Sequence, residues 1–166
     1  MKPSDSNTLL NPSPSLFFPS LGVASKEDLF ATLVDALAEQ GIAQNRNALL
    51  KALLEREAVG TTGVGFGIAI PHARSMVVAA TALVFARLPN GLDFAARDEA
   101  PVQVVFLIVA PYGAAGTLYL PLLAVLTAAS RRKPTRHRLL AVESFDDYAK
   151  LINKLIKPQL VEVLAR

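Results

Sequence analysis

The sequence contains no cysteine, so it excludes a disulfide-stabilised scaffold and any metal centre built on thiolates. This absence fits a reducing compartment without establishing one. The first ten residues, MKPSDSNTLL, also lack the charged start and the compact apolar core of a secretion signal. A cytoplasmic location is therefore expected.

Charge is absent from residues 100–130, which raises the question of a membrane span. A spanning helix needs about 20 apolar residues in helical continuity. Here Pro111, Gly113, Gly116 and Pro121 interrupt the run. Its first part, VQVVFLIVA, is rich in β-branched residues and predicts a buried strand, and its last part, LYLPLLAVLTAA, is too short to span. No membrane insertion is expected.

The excess of positive charge is small and local. The formal net charge is +3, but RRKPTRHR at residues 131–138 contains five Lys/Arg and no acid. The remainder carries 12 Lys/Arg against 14 Asp/Glu, so the body of the protein is not a polycationic nucleic-acid binder. We expect no nucleic-acid partner, because a run of like charge is usually a solvated helix end. Binding of nucleic acid or of an acidic protein by this segment stays open as a minor hypothesis, and phosphate contacts would make such binding steeply salt-dependent.

A chain of 166 residues favours a single domain. Residues 1–22 contain four prolines and predict a flexible leader, in which the LFFP patch is a candidate to dock on the body. Residues 23–157 are expected to form the domain. A proline at position 158 is expected to end the last helix, leaving residues 158–166 as a tail.

The order of elements predicts the fold class. Ser25 with Asp28, and Ser144 with Asp147, resemble capping boxes at helix starts. Strand-like runs cover residues 64–70, 80–88 and 102–109, the second followed by a PNG turn signal at residues 89–91. The expected order is α, α, β, β, β, α, α. Because the central strands are apolar without alternation, both of their faces are expected to be covered, which predicts an α/β fold with a mixed sheet sandwiched between helices.

The glycine-rich segment GTTGVGFGIAIPHAR, residues 60–74, does not fit a nucleotide site. A P-loop needs Lys-Ser/Thr after its last glycine, and here Ile68 and Ala69 follow. A dinucleotide fingerprint lies between a strand and a helix, whereas these glycines follow a helix and precede a strand. We expect no cofactor and no metal site.

His72 is the residue in this segment with the most distinctive chemistry. Pro71 fixes the backbone before it, and a neutral imidazole is a competent nucleophile near pH 7. Taken alone, a histidine at a strand end without any chemical role is the simpler interpretation.

The longer segment REAVGTTGVGFGIAIPHAR, from Arg56 to Arg74, resembles the active-site signature of the mannitol/fructose-type enzyme IIA domains of the bacterial phosphotransferase system, a group that includes the nitrogen-regulatory IIA proteins. The likeness extends more loosely over residues 20 to 157. It implies a mannitol-type IIA-like fold and a phosphocarrier. His72 would accept a phosphoryl group from a histidine phosphocarrier protein, then relay it to a IIB partner or keep it as a signal to a regulated partner protein.

The resemblance also implies roles around His72. Arg56 matches the family arginine that offsets the phosphoryl charge, although its position alone suits a cation near the last carbonyls of a helix. Thr61 and Thr62 are candidate hydroxyl donors to phosphate, although ordinary turn capping explains them equally.

One position departs from the family pattern. Tyr119, in YLPLLAVL, stands where the family carries a second histidine, and a phenol cannot carry a positive charge near pH 7. The other histidine, His137, matches nothing in the pattern and is expected to be a solvated surface residue. The departure leaves open whether the chain is a phosphotransferase-type enzyme, and it keeps an alternative: a non-phosphorylated IIA-like regulatory module that acts by protein–protein contact.

Overall fold

The computed structural model describes residues 12–166. Within that range it contains five α-helices and six strands. The helices are α1 (Lys26–Glu39), α2 (Arg46–Val59), α3 (Tyr119–Ser130), α4 (Lys133–Ala141) and α5 (Phe145–Leu164). The strands are β1 (Phe17–Phe18), β2 (Gly63–Gly65), β3 (Ile68–Ala69), β4 (His72–Arg74), β5 (Ala82–Leu92) and β6 (Val102–Ala110).

All six strands belong to one mixed sheet. Its order is β1-β5-β6-β3-β2, and β4 also pairs with β6. The long central pair β5–β6 is antiparallel, while β3 and β4 run parallel to β6 in succession, so that His72 lies opposite Ile108 and Arg74 opposite Ala110. Since Pro71 separates β3 from β4, the predicted strand 64–70 is a short hairpin whose second arm continues, after the proline, into the His72 strand.

Helices cover both faces of this sheet, which confirms the predicted α/β class. Alternate residues of β6 pack to opposite sides: Val105, Leu107 and Val109 belong to a core with α1 and α2, and Phe106, Ile108 and Ala110 to a core with α3, α4 and α5. A strand that is buried on both faces has no need of a polar side, which explains its continuous apolar sequence.

The predicted helix starts are confirmed by their caps. The hydroxyls of Ser25 and Ser144 accept hydrogen bonds from the backbone N–H groups of Asp28 and Asp147, respectively, at 3.1 and 3.2 Å. Gly41 follows α1 with a φ of 72°, the left-handed conformation that ends many helices.

The start of the folded domain differs from the predicted boundary at residue 22. Residues 1–11 of the expected leader lie outside the described residues. Leu16 is buried, and Phe17 in β1 stacks on Phe85 and Tyr148. The LFFP patch therefore docks on the body as an edge strand, since burying these apolar groups favours the ordered state.

Two other boundary predictions are wrong. Pro158 lies inside α5 and does not end it, because Leu160, two residues further on, is fully buried and this packing outweighs the cost of a proline in the helix. The PNG signal at residues 89–91 lies inside β5 as an irregularity in its pairing with β6, and Gly91 has a φ of 71° there. Of the helices that the structure describes, none combines the length and hydropathy needed to cross a membrane.

Candidate functional site

His72 opens β4 and is half-buried. Its ring nitrogen Nδ1 lies 2.8 Å from the carbonyl oxygen of Ile70. A carbonyl can only accept a hydrogen bond, so Nδ1 carries the proton and donates it. Nε2 then holds the lone pair, and no group within residues 12–166 hydrogen-bonds to it. The backbone around the proline thus fixes the tautomer of His72 and leaves one nucleophilic nitrogen free.

The surroundings of His72 lower its pKa below the ordinary histidine value. Burial is the main cause, and the positive charge of Arg56 acts in the same direction. The hydrogen bond to Ile70 and the charge of Glu57 oppose the shift. The imidazole is therefore neutral around pH 7, which is the form that can act as a nucleophile.

Arg56 lies in the last turn of α2 and performs the role that its position alone suggested. Its Nη1 donates to the carbonyl oxygen of Gly60, the residue that caps the helix, at 2.9 Å. The same guanidinium lowers the pKa of both His72 and Tyr119, so its charge also acts on the site. With one Nη1 bond to Gly60, Arg56 retains further N–H donors for an anion.

Beside Arg56, the chain forms a fully paired polar group that we call the Glu57 cluster: Lys26, Glu57 and Thr62. Glu57 is buried, and its carboxylate accepts from Lys26 Nζ at 2.8 Å and from both the backbone N–H and the hydroxyl of Thr62 at 3.1 and 2.5 Å. These bonds join the starts of α1 and β2 to the end of α2. The cluster fixes the start of the glycine-rich segment.

The hydroxyl of Thr61 is also occupied. It donates to the carbonyl oxygen of Phe94 and accepts from the backbone N–H of Gly63 at 3.1 Å. A side chain at Gly63 would approach Ala96 Cβ to 3.0 Å, so the absence of a side chain here allows close contact with the 93–101 loop. The roles of Thr61 and Thr62 as phosphate donors stay predictions, and each hydroxyl would first have to leave its present acceptor.

Tyr119 is the first residue of α3, and its side chain is buried next to His72. The two ring centroids are 5.9 Å apart. Burial raises the pKa of Tyr119, while Arg74 and Arg56 lower it. The alignment that sets Tyr119 in place of a second histidine therefore fits the geometry, because the ring lies beside the acceptor imidazole.

Sequence reasoning missed Arg74, although it lies within the quoted signature. Its guanidinium lies over the Tyr119 ring, 4.7 Å from the centroid, and its Nη2 donates to the carbonyl oxygen of Gly116 at 3.0 Å. The alternation of side chains along a strand could have predicted the place of Arg74, because residues 72 and 74 share a face. We call His72, Arg56, Arg74 and Tyr119 the His72 site.

Elsewhere, the basic segment 131–138 has a partly structural role. Arg136 donates to the carbonyl oxygens of Ser130 and Arg131 at 3.2 and 2.9 Å, which caps the end of α3, and its guanidinium lies 4.2 Å from the centroid of the Phe66 ring. His137 is exposed on α4, as predicted.

Comparison with known proteins identifies a family. The family model described as "Phosphoenolpyruvate-dependent sugar phosphotransferase system, EIIA 2" matches residues 13–155, a range that contains every residue of the His72 site. The chain is 41% identical over 121 residues to the fructose-specific EIIA component of the PTS system of Haloferax volcanii, covering 73% of this chain and 78% of that relative.

Solved structures agree in fold. The nitrogen regulatory protein IIA-Ntr from Neisseria meningitidis superposes with a TM-score of 0.77 at 29% identity, covering 83% of this chain and 93% of the other. The mannitol enzyme IIA of Escherichia coli, in its complex with phosphorylated mannitol enzyme IIB, gives 0.72 at 22% identity over 87% and 98% of the two chains. At that identity, the second likeness shows the fold alone.

Proposed function

We propose that this chain, which belongs to the EIIA 2 family of the phosphoenolpyruvate-dependent sugar phosphotransferase system, is a phosphocarrier that accepts a phosphoryl group on His72. The group then passes to a IIB partner or persists as a regulatory signal. The observation that carries this proposal is the hydrogen bond from Nδ1 to Ile70, since it leaves the lone pair of Nε2 free in a half-exposed position.

The transfer can be written with balanced bonds. The lone pair of Nε2 attacks phosphorus, and an N–P bond forms as the bond between phosphorus and the nitrogen of the donor phosphohistidine breaks. The donor nitrogen takes the electron pair of that bond. The proton on Nδ1 stays on His72, held by the Ile70 carbonyl, so no general base is needed.

Two neighbours suit the phosphorylated state. The phosphoryl group brings about two negative charges at neutral pH, and the guanidinium of Arg56 is a charge-assisted donor near it. The buried ring of Tyr119 covers one side of the imidazole and limits access of water that would hydrolyse the N–P bond. Thr61 and Thr62 keep their predicted role as further donors only if phosphorylation breaks their present bonds.

Apolar side chains near the His72 site support transfer between proteins. Val59, Met76, Tyr112 and Leu120 are each at least 60% exposed, and they lie at or just beyond the ends of the elements that form the site. Exposed apolar groups of this kind suit a protein partner. We propose a histidine phosphocarrier protein as the donor, and the IIB complex of the mannitol relative supports a IIB protein as acceptor. A cytoplasmic location remains part of this proposal.

The test is reconstitution with phosphoenolpyruvate, enzyme I and the histidine phosphocarrier protein. We expect a mass gain of one phosphate that is labile in acid and stable in base. His72→Gln should abolish the gain, and His137→Gln, which alters the other histidine of the chain, should leave it intact. Phosphate uptake by His72→Gln would show that another residue is the phosphoryl acceptor. No uptake by the wild type would favour the non-phosphorylated regulatory module.

A further inference from the structure

We propose that Arg74 is a positioning residue of the His72 site: its guanidinium holds the Tyr119 ring against the acceptor imidazole. The catalytic consequence rests on the proposed function, but the positioning itself is a property of the free protein. Four observations carry the inference.

The first is the placement of Arg74 on the acceptor strand. Residues two apart in a strand point to the same face, so His72 and Arg74 lie on one side of β4 and Ala73 on the other. The burial follows this alternation, since Ala73 is buried in the core with α1 and α2 while His72 and Arg74 are half-buried. Any shift of β4 would therefore move both side chains together.

The second is the order of the three side chains. The guanidinium of Arg74 lies 4.7 Å from the centroid of the Tyr119 ring, and that ring lies 5.9 Å from the His72 ring. A guanidinium over an aromatic face is attracted by the negative charge density of the ring. The contact with Arg74 therefore holds the Tyr119 ring in its position beside the His72 ring.

The third is the bond from Arg74 to the turn before α3. Its Nη2 donates to the carbonyl oxygen of Gly116. The turn packs closely on the end of β6, because a Cβ at Gly116 would lie 2.1 Å from the carbonyl oxygen of Pro111. Arg74 thereby ties β4 to the segment that leads into α3, whose first residue is Tyr119.

The fourth is that the fold does not use all of the donors of Arg74. Its Nε is buried and has no acceptor among the described residues. An arginine retained for stability alone usually has its buried donors paired, and an unpaired one in a native protein calls for a functional explanation. The guanidinium also lowers the pKa of Tyr119 against the effect of burial, which makes the phenol a better hydrogen-bond donor.

The experiment uses the full chain and a small phosphoryl donor, phosphoramidate, so that docking of a partner protein does not enter. Arg74→Met removes the charge and keeps an apolar stem, and Arg74→Lys keeps the charge but not the planar fork. Arg87→Met is the matched control. Arg87 is also a half-buried arginine that donates to two backbone carbonyls, those of Pro19 and Leu140, but it lies on β5.

We expect Arg74→Met to take up phosphate on His72 roughly tenfold more slowly than the wild type, in line with the loss of a partly buried cation–π contact. Arg74→Lys should recover part of the rate. The pKa of Tyr119, followed by NMR of labelled tyrosine, should rise in Arg74→Met. Arg87→Met should change neither quantity, even where it lowers the melting temperature.

A second comparison separates positioning from a general loss of structure. With Tyr119→Leu already present, Arg74→Met should have little additional effect on uptake. A full additional effect, or equal behaviour of Arg74→Met and Arg87→Met, would overturn the proposal. If the wild type takes up no phosphate, the proposed function fails, while the tyrosine titration still decides the role of Arg74. If Arg74→Met does not fold, the rate of phosphate uptake and the pKa of Tyr119 are measured in Arg74→Lys instead.

Discussion

The segment from Arg56 to Arg74 consists of two halves that differ in how their polar groups are used. In the first half, Glu57 and Thr62 are buried and hydrogen-bond to each other, and Glu57 also pairs with Lys26 of α1. In the second half, neither Nε2 of His72 nor the buried Nε of Arg74 has a hydrogen-bond partner among residues 12–166. The first half stabilises the loop, and the second contains the acceptor nitrogen and the arginine that we propose as its positioning residue.

This contrast explains how a loop rich in glycine can hold a nucleophile in one position. The paired carboxylate fixes the start of the loop, and the parallel pairing of β4 with β6 fixes its end. Between them the loop exposes Val64 and Phe66, while the imidazole at its end stays half-buried. Substitutions in the two halves should therefore separate stability from phosphoryl transfer.

The largest effect on stability is expected from Glu57→Ala. It removes the acceptor of three hydrogen bonds, leaves the hydroxyl of Thr62 without its acceptor, and reduces the partners of the Lys26 ammonium to the carbonyl oxygen and ring of Phe94. Breaking a buried ion pair by removing one partner typically costs about 3–5 kcal/mol. The measurement is urea denaturation. Glu55→Ala, on the same helix but exposed, is the control, and its change should stay within about 0.5 kcal/mol. Equal midpoints for the two variants would remove the structural role of the cluster.

Arg56→Ala should act mainly on the chemistry. Loss of a charged donor to the phosphoryl group costs about 1.5–3 kcal/mol, which is roughly tenfold or more in rate of uptake. Arg56→Lys should recover only part, because an ammonium lacks the planar fork. Arg46→Ala, which removes an exposed arginine at the other end of α2, should leave the rate unchanged. Wild-type rates in Arg56→Ala would exclude Arg56 from the site.

The pH dependence of His72 gives a smaller and more specific effect. Its folded pKa is lowered, chiefly by burial, so the folded state binds a proton less readily than the unfolded state. The stability that comes from the neutral ring is present above the unfolded pKa, about 6.5, and is lost as pH falls through the folded value. Uptake should rise with pH around a midpoint below that of an ordinary histidine.

NMR titration of the His72 ring, assigned by its loss in His72→Gln, measures this midpoint directly. Arg56→Ala should move it upward, since one of the lowering charges is gone, but burial should still keep it below the ordinary value. A midpoint above the ordinary histidine value in the wild type would contradict the described environment.

The sequence alone predicted the elements whose signals are local. The caps at Ser25 and Ser144, and the sheet covered on both faces, follow from short-range patterns that the structure confirms. The contact between Arg74 and Tyr119 could not be found in this way, because it joins residues that only the packing of α3 on the sheet brings together. The same applies to α5, where the burial of Leu160 overrides the local preference of Pro158.

The smallest effect is expected at Tyr119, the residue that links the two conclusions about the His72 site. Within the described residues, nothing hydrogen-bonds to its hydroxyl, so Tyr119→Phe should leave the stability of the free protein almost unchanged. The ring remains available to Arg74. If the hydroxyl donates to the phosphoryl group, its loss should cost up to about 1.5 kcal/mol in the phosphorylated state alone.

Tyr119→His introduces a group able to become cationic, which should speed uptake increasingly as pH falls through its pKa. Because Arg74 lies 4.7 Å from the centre of the present ring, its charge should lower that pKa, so that the gain begins on the acidic side of neutrality. The measurement is the rate of phosphate incorporation for the three proteins between mildly acidic and mildly basic pH. Superimposable profiles would reduce Tyr119 to a packing residue and make its alignment with the second histidine of the family accidental.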